Sequence, residues 1–305
     1  MKDLIRIATR KSPLALVQAN IVKDMLERAD NDTSVNLIPM STTGDTATKE
    51  VFKTQGGKGL FLKELERSLL NNEADIAVHS LKDVPALIDK KFQLLTISKR
   101  ADPSDVLISE KFKSISELPE GAIIGTSSPR RIALLKAISN NIKIKEIRGN
   151  IETRINKLKS DNLDGVILAA AGIFRLSLDN NFSNKLPSES FIPSAGQGVL
   201  CVEYLKKNAK LDNMLAKHVD QNTQSCADAE RSFINKIGGD CMSPIGVNAK
   251  IIDDDITINA VISDINGKNF IKLKYIDKKS NAVIAGNKLA KIFIKQGARK
   301  LLRTN

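Results

Sequence analysis

Few side chains in this chain could carry acid, base or nucleophilic chemistry, and those that could stand at telling places. Asp83 and Lys82 close the stretch Glu73-Ala-Asp-Ile-Ala-Val-His-Ser-Leu-Lys-Asp-Val-Pro85, just after the apolar run Ile76-Ala-Val78. Such a run reads as a strand buried on both faces of a mostly parallel sheet. His79, Ser80, Lys82 and Asp83 then project at its carboxyl end, the edge where open α/β sheets bind ligands. The plain alternative is a surface ion pair, worth about 0–1 kcal/mol. Cys241 is the second candidate: it lies in the loop Gly238-Gly-Asp-Cys-Met-Ser-Pro244, where a thiol is accessible for reaction or is merely incidental. Cys201 and Cys226 fall in an apolar strand and a helix and read as inert. Three cysteines without C-x-x-C spacing suggest neither a disulfide framework nor a zinc site.

Arginine supplies the third signal. The formal charge is +12, carried by 47 Lys and Arg residues, of which only Arg6, Arg10, Arg28, Arg67, Arg100, Arg130, Arg131, Arg148, Arg154, Arg175, Arg231, Arg299 and Arg303 are arginine. Five of them crowd between Arg130 and Arg175. The planar guanidinium fork grips a carboxylate or phosphate in a bidentate way that lysine cannot imitate. A lysine-rich chain that turns locally to arginine points to an anionic ligand there, with helix-surface solvation as the bland alternative. Nucleic acid is the poorer partner, because two Tyr, ten Phe and no Trp leave few stacking groups.

These groups need elements to hold them. Leu4 to Ala8 reads as a strand, with Ser12-Pro13 as a helix cap and proline at the first helical position. Arg10 and Ser12 therefore sit at a strand-to-helix turn suited to an anion, although capping alone would explain Ser12. Val35–Met40 reads as a strand, 46–58 as a glycine-containing loop whose Lys53 and Lys58 could reach a ligand, and Phe61–Leu70 as an amphipathic helix. Neither G-x-G-x-x-G nor the Walker pattern occurs. After Lys99–Ser104 the plan returns: strand Ala122–Gly125, cap Ser128-Pro129, a helix opening on Arg130-Arg131, strand Ile142–Ile147, a helix capped by Asn150, then Asp164 and a strand. Ser194-Ala-Gly-Gln-Gly198 leads into a strand returning to the first domain. Gln197 there could approach a ligand, though a tight turn explains its glycines equally well.

Beyond Asn208 come two helices, then strands at Val247–Ile252, Thr257–Ser263 and Phe270–Ile276, the last two joined at Asn266-Gly267, and a basic helix from Ala282. The expected architecture is α/β: two similarly built domains with a cleft between them, plus a small α+β third domain. The boundaries are 1–98 with 195–218, 99–194, and 219–305. No apolar signal core opens the sequence and no run approaches the ~20 residues of a membrane helix, so a cytoplasmic monomer without membrane or nucleic-acid partners is expected.

Taken together, the motifs are recognisable. Arg6-Ile-Ala-Thr-Arg-Lys-Ser-Pro-Leu-Ala-Leu16, Gly56-Gly-Lys-Gly-Leu-Phe61, Ala77–Pro85, Gly125-Thr-Ser-Ser-Pro-Arg-Arg131, Arg148-Gly-Asn150, Ala195-Gly-Gln-Gly198, Ala229-Glu-Arg231 and the Cys241 loop occur in the order of the porphobilinogen deaminase (hydroxymethylbilane synthase) family, which the chain resembles from end to end. The resemblance implies two domains like type II periplasmic binding proteins and a third carrying the cysteine. It implies head-to-tail joining of four porphobilinogen molecules, with loss of ammonia at each step and a final hydrolysis. It makes Asp83 the catalytic acid, which protonates the departing amine and then, ionised, steadies the azafulvenium cation. Cys241 becomes the thioether anchor of a dipyrromethane cofactor. Ser80, Lys82, Asp83, Thr126, Ser128, Arg130, Arg131 and Arg148 become cofactor-binding, and Arg10, Ser12, Lys58, Phe61, Arg154, Arg175 and Gln197 substrate-binding; no metal is implied. One departure stands out: Asp240 takes a place where many relatives have glycine. Its charge is expected to raise the Cys241 thiol's pKa.

Two other functional classes compete. A two-domain module could capture a polycarboxylate without chemistry, since fold does not fix function. A nucleic-acid binder would lose affinity steeply with salt. Only the transferase needs both Asp83 and Cys241.

Overall fold

The computed structural model describes residues 3–46, 59, 61–178, 183–240 and 242–303. The chain divides into two compact units, Met1–Arg100 with Val199–Gln224, and Ala101–Gly198 with Ser225–Asn305. Among the described residues no helix is long and apolar enough to cross a membrane.

In the first unit, β1 (Asp3–Arg10), β2 (Thr33–Met40), β3 (Ile76–Ser80), β4 (Phe92–Ile97) and β10 (Leu200–Leu205) form one sheet in the order β2-β1-β3-β10-β4. β1 runs parallel to β2 and β3, whereas β10 is antiparallel to both its neighbours. The expected return of the chain after Gly198 is thus an antiparallel strand inserted into the sheet. Ile7, Ile76 and Val202 pack with Ala19 and Val22 of α1 (Pro13–Ala29), whereas Ala8 and Ala77 pack with Leu65 and Leu69 of α3 (Lys63–Leu70); α2 (Thr43–Thr46) is a single turn between these helices in the chain. Burying each isoleucine, valine or leucine among them contributes about 1.5–3 kcal/mol.

The second unit repeats the plan. β5 (Asp105–Ile108), β6 (Ile123–Gly125), β7 (Lys143–Lys145), β8 (Gly165–Ala169) and β9 (Ser183–Lys185) lie in the order β7-β6-β8-β5-β9, with β5 antiparallel to β8. α4 (Pro129–Ile138), α5 (Ile151–Ser160) and α6 (Ala170–Arg175) follow β6, β7 and β8. Both sheets set three strands in like order, β2-β1-β3 and β7-β6-β8, extended by antiparallel pairing. A repeated aspartate clamps each. Asp75 accepts from the Arg6 backbone N–H at 2.8 Å and returns its own N–H to the Arg6 carbonyl at 2.9 Å. Asp164 does the same with Ile123, at 2.9 Å both ways.

The same unit holds a three-stranded antiparallel sheet, β11 (Ile245–Ile252), β12 (Asp255–Ser263) and β13 (Phe270–Lys278), covered by α8 (Gln221–Ile237), α9 (Ala282–Lys295) and α10 (Ala298–Arg303). The β12–β13 turn contains Gly267 at φ +67°, and a Cβ there would lie 2.3 Å from the Ala133 carbonyl oxygen. Only glycine lets this turn pack so closely on α4. α7 (Ala209–Ala216) completes the first unit.

Candidate active site

In the first unit the polar end of β3 turns at once into a single 3₁₀ turn, Leu81–Asp83, because Leu81 is buried while its neighbours face outward. Asp83 is exposed and Lys82 half-buried. Ser80 receives a hydrogen bond at 2.7 Å from the side-chain amide of Gln18, a residue buried on α1. Gln18 was missed in the sequence; its only signal is an amide among the apolar positions of an amphipathic helix. Contrary to the expectation from sequence, His79 does not join the others at the strand end. It is buried, and its Nε2 lies 3.1 Å from the carboxylate of Glu203, itself fully buried on β10.

Arg10 ends β1 and lies over the ring of Phe61, 4.1 Å from its centroid, in a cation–π contact. Ser12 holds the N-cap position of α1, yet its side chain makes no capping hydrogen bond. Capping therefore does not explain this serine. Lys53 and Lys58 lie outside the described residues.

In the second unit, Ser128 does cap its helix, accepting from the Arg131 N–H, and Thr126 is buried beside it, its hydroxyl accepting from the Ser128 N–H at 3.3 Å. Arg130 and Arg131, which begin this helix, are buried around one carboxylate that the sequence did not single out. Arg130 donates from Nη1 to Asp105 Oδ2 at 2.7 Å and to the Ile192 carbonyl at 2.9 Å. Arg131 reaches Asp105 Oδ1 through Nε at 3.0 Å and Nη2 at 2.6 Å, and the Ile167 carbonyl through Nη1 at 2.7 Å. Burial alone would raise the Asp105 carboxyl's pKa; the two guanidinium charges outweigh it and hold the group well below the usual carboxylate range. The reverse holds for Arg131, where burial outweighs Asp105 and lowers the pKa. One buried negative charge faces two positive ones, and among the described residues the Arg130 Nε, itself buried, has no hydrogen-bond partner.

Gln197 joins this cluster. Its amide donates to the Pro103 carbonyl at 2.7 Å and to Asp105 Oδ1 at 3.1 Å, and the residue is 1% exposed. Gly198, at φ +86°, closes the turn where a Cβ would stand 2.4 Å from the Ala101 carbonyl oxygen. Arg175 donates to the Gly198 carbonyl at 3.1 Å. Arg154 donates from Nε to the Gly149 carbonyl at 2.8 Å, on a helix capped by Asn150; Arg148 is half-buried just before Gly149. Arg130, Arg131 and Gln197 are thus brought together, with Thr126 and Ser128 at the same helix start.

Cys241 lies outside the described residues. Before it, α8 ends at Ile237, and Gly238 follows at φ +84°. On either side, the Asp240 carboxylate accepts from the Met242 N–H at 3.0 Å and the Ser243 hydroxyl at 2.9 Å. Asp240 is therefore built into the loop as a turn-forming acceptor. Glu230 of the Ala229-Glu-Arg231 motif is also structural: it is fully buried and accepts from the N–H groups of Gly196 and Ala249, both at 2.7 Å.

Residues 5–213 match the family model described as porphobilinogen deaminase, dipyromethane cofactor binding domain, and residues 224–295 match that of the porphobilinogen deaminase C-terminal domain. A porphobilinogen deaminase from Legionella pneumophila (strain Paris) is 40% identical over 302 residues, 99% of this chain and 98% of that protein. One from Sulfurimonas denitrificans is 42% identical over 305 residues, 99% of this chain and 97% of that protein.

Proposed function

The chain belongs to the porphobilinogen deaminase family, and from that premise we propose how its residues divide the work. The family's reaction is a transfer in tetrapyrrole synthesis: porphobilinogen units are condensed with release of ammonia, and the product, hydroxymethylbilane, is freed by hydrolysis. The dipyrromethane cofactor, when bound, supplies the pyrrole end to which incoming units are joined. The second unit suits such a group. Two buried guanidiniums share one carboxylate, which leaves an excess of positive charge to attract a ligand's acid group. That surplus is the observation on which the assignment rests.

Arg130, Arg131, Arg148, Thr126, Ser128, Ser80 and Lys82 hold the cofactor's acidic side chains, the Asp83 carboxylate faces its pyrrole N–H groups, and Cys241 anchors it through a thioether. Arg10, Ser12, Lys58, Arg154 and Arg175 serve the acetate and propionate of the incoming substrate, Phe61 backs Arg10, and Gln197 serves the substrate through Asp105 rather than by direct contact; each charge-assisted hydrogen bond is worth about 1.5–3 kcal/mol. Asp83 donates a proton to the departing amine, and its carboxylate then faces the cation left behind. An exposed carboxyl on a short turn can exchange that proton with solvent between cycles. Three domains, 1–98 with 195–218, 99–194 and 219–305, fit the three separate sheets. A cytoplasmic monomer completes the proposal, to be checked by cell fractionation and light scattering. A binding module without chemistry is not favoured, because the resemblance to enzymes runs the full length.

The test is the intact mass of purified protein. An adduct of two pyrrole units, lost in Cys241→Ser, is expected; bare polypeptide from porphobilinogen-replete cells overturns the assignment.

A further inference from the structure

We propose that Asp105 is a positioning residue for this transfer: its one carboxylate sets the direction of both the Arg130 and Arg131 forks, and Gln197 acts through it. Three observations in one unit carry this. First, Asp105 is fully buried at the start of β5, and it divides its oxygens, Oδ2 to Arg130 and Oδ1 to Arg131 and Gln197. Neither arginine can swing without breaking a bond to a partner that no water can replace.

Second, each guanidinium is pinned again by a backbone carbonyl, Ile192 for Arg130 and Ile167 for Arg131. Each fork is therefore held at two points, one of them the shared oxygen pair. Third, the network continues past the arginines. Gln197 is held by the Pro103 carbonyl, and its neighbour Gly196 donates to Glu230, which in turn accepts from Ala249 on β11. The chain of bonds runs from the arginine pair to α8, the helix that ends at Ile237 just before the Cys241 loop. Directions fixed at Asp105 are thereby referred to the same frame that carries the cofactor cysteine.

The inference rests on the transferase assignment, and its test separates the two. Holoenzymes of Asp105→Asn, Gln197→Met and the double variant are assayed for turnover per adduct-bearing molecule, counted by intact mass. Misaimed forks slow condensation by up to about 10²-fold for Asp105→Asn and on the order of tenfold for Gln197→Met, chiefly in kcat, with KM within about twofold. The double variant falls no further than Asp105→Asn, because Gln197 works through the same carboxylate. A readout independent of turnover is the exchange rate of the Arg131 Nε–H, followed by NMR on arginine-labelled protein; it rises in Gln197→Met.

Should Asp105→Asn fail to fold, Gln197→Met decides alone. Normal kcat and unchanged Nε–H exchange in that variant overturn the inference, and so does a rise in KM at unchanged kcat, which makes Gln197 a direct substrate contact. Wild-type protein lacking the adduct overturns the transferase assignment instead.

Discussion

The two strand-to-helix turns, Arg10-Lys-Ser-Pro13 in the first unit and Ser127-Ser-Pro-Arg-Arg131 in the second, share a sequence grammar and use it in opposite ways. At the first, Ser12 leaves its helix uncapped, and Arg10 rests half-buried on the ring of Phe61. At the second, Ser128 spends its hydroxyl on the helix, and Arg130 and Arg131 are buried on Asp105. The first turn spends no side chain on capping its helix; the second invests its serine in the cap and its two arginines in one shared carboxylate. Local sequence chooses the turn, but the neighbouring strand decides what the turn is for.

The largest effect expected lies beside the first turn. Asp83→Asn keeps the cofactor adduct but loses about 10²–10⁴-fold in turnover, the usual worth of a positioned general acid. Stopped assays of porphobilinogen consumption with mass analysis check it; near-normal turnover removes Asp83 from its role and with it the view of the first unit as the reactive one.

Next comes the contrast in stability. Arg131→Leu strands half the buried cluster and costs about 3–5 kcal/mol of unfolding free energy. Arg10→Leu loses a partly exposed cation–π contact, about 0.5–1 kcal/mol. Urea denaturation of both variants reads the difference, and equal losses would erase the distinction between the turns. The cluster also has a pH signature. A carboxyl with a folded pKa below its unfolded value stabilises fully above the unfolded value near ~3.9 and loses that contribution as pH falls from there. Urea midpoints should therefore drop below about pH 4 in the wild type, and Asp105→Asn, less stable at neutral pH, should show the shallower drop.

Much of this plan was legible from residues. The repeat of strand, Ser-Pro, helix, strand, helix, aspartate and strand located two like-built sheets, and the equivalence of Asp75 and Asp164 proved to be a shared backbone clamp. Asp105 was not legible. Asp102-Pro-Ser-Asp105 looks like loop, and β5 offers only four residues, so nothing local distinguishes a buried aspartate from a turn residue. Its partners misled for the same reason. Arginine is seldom fully buried unless paired, and a pairing 25 residues away in sequence has no local trace. The local preference for arginine over lysine was a sound signal of fork geometry, but two of those five forks answer to an internal carboxylate as well as to any ligand. Gln18 and His79 failed alike, the one because an amide on a helix face looks solvated, the other because a strand's last residues look exposed.

The smallest effect is the sharpest discriminator between the two turns. Ser128→Ala removes a cap and should cost about 1 kcal/mol of stability. Ser12→Ala removes no cap and should leave the urea midpoint unchanged within error while raising KM for porphobilinogen. The pair must be read together. If both serines lowered stability alike, Ser12 would be a cap after all and its hydroxyl would have no claim on the substrate. If neither did, the Ser128 bond, at 3.5 Å, would be too long to count, and the rigidity of the second turn would rest on Asp105 and the two backbone carbonyls that pin the forks.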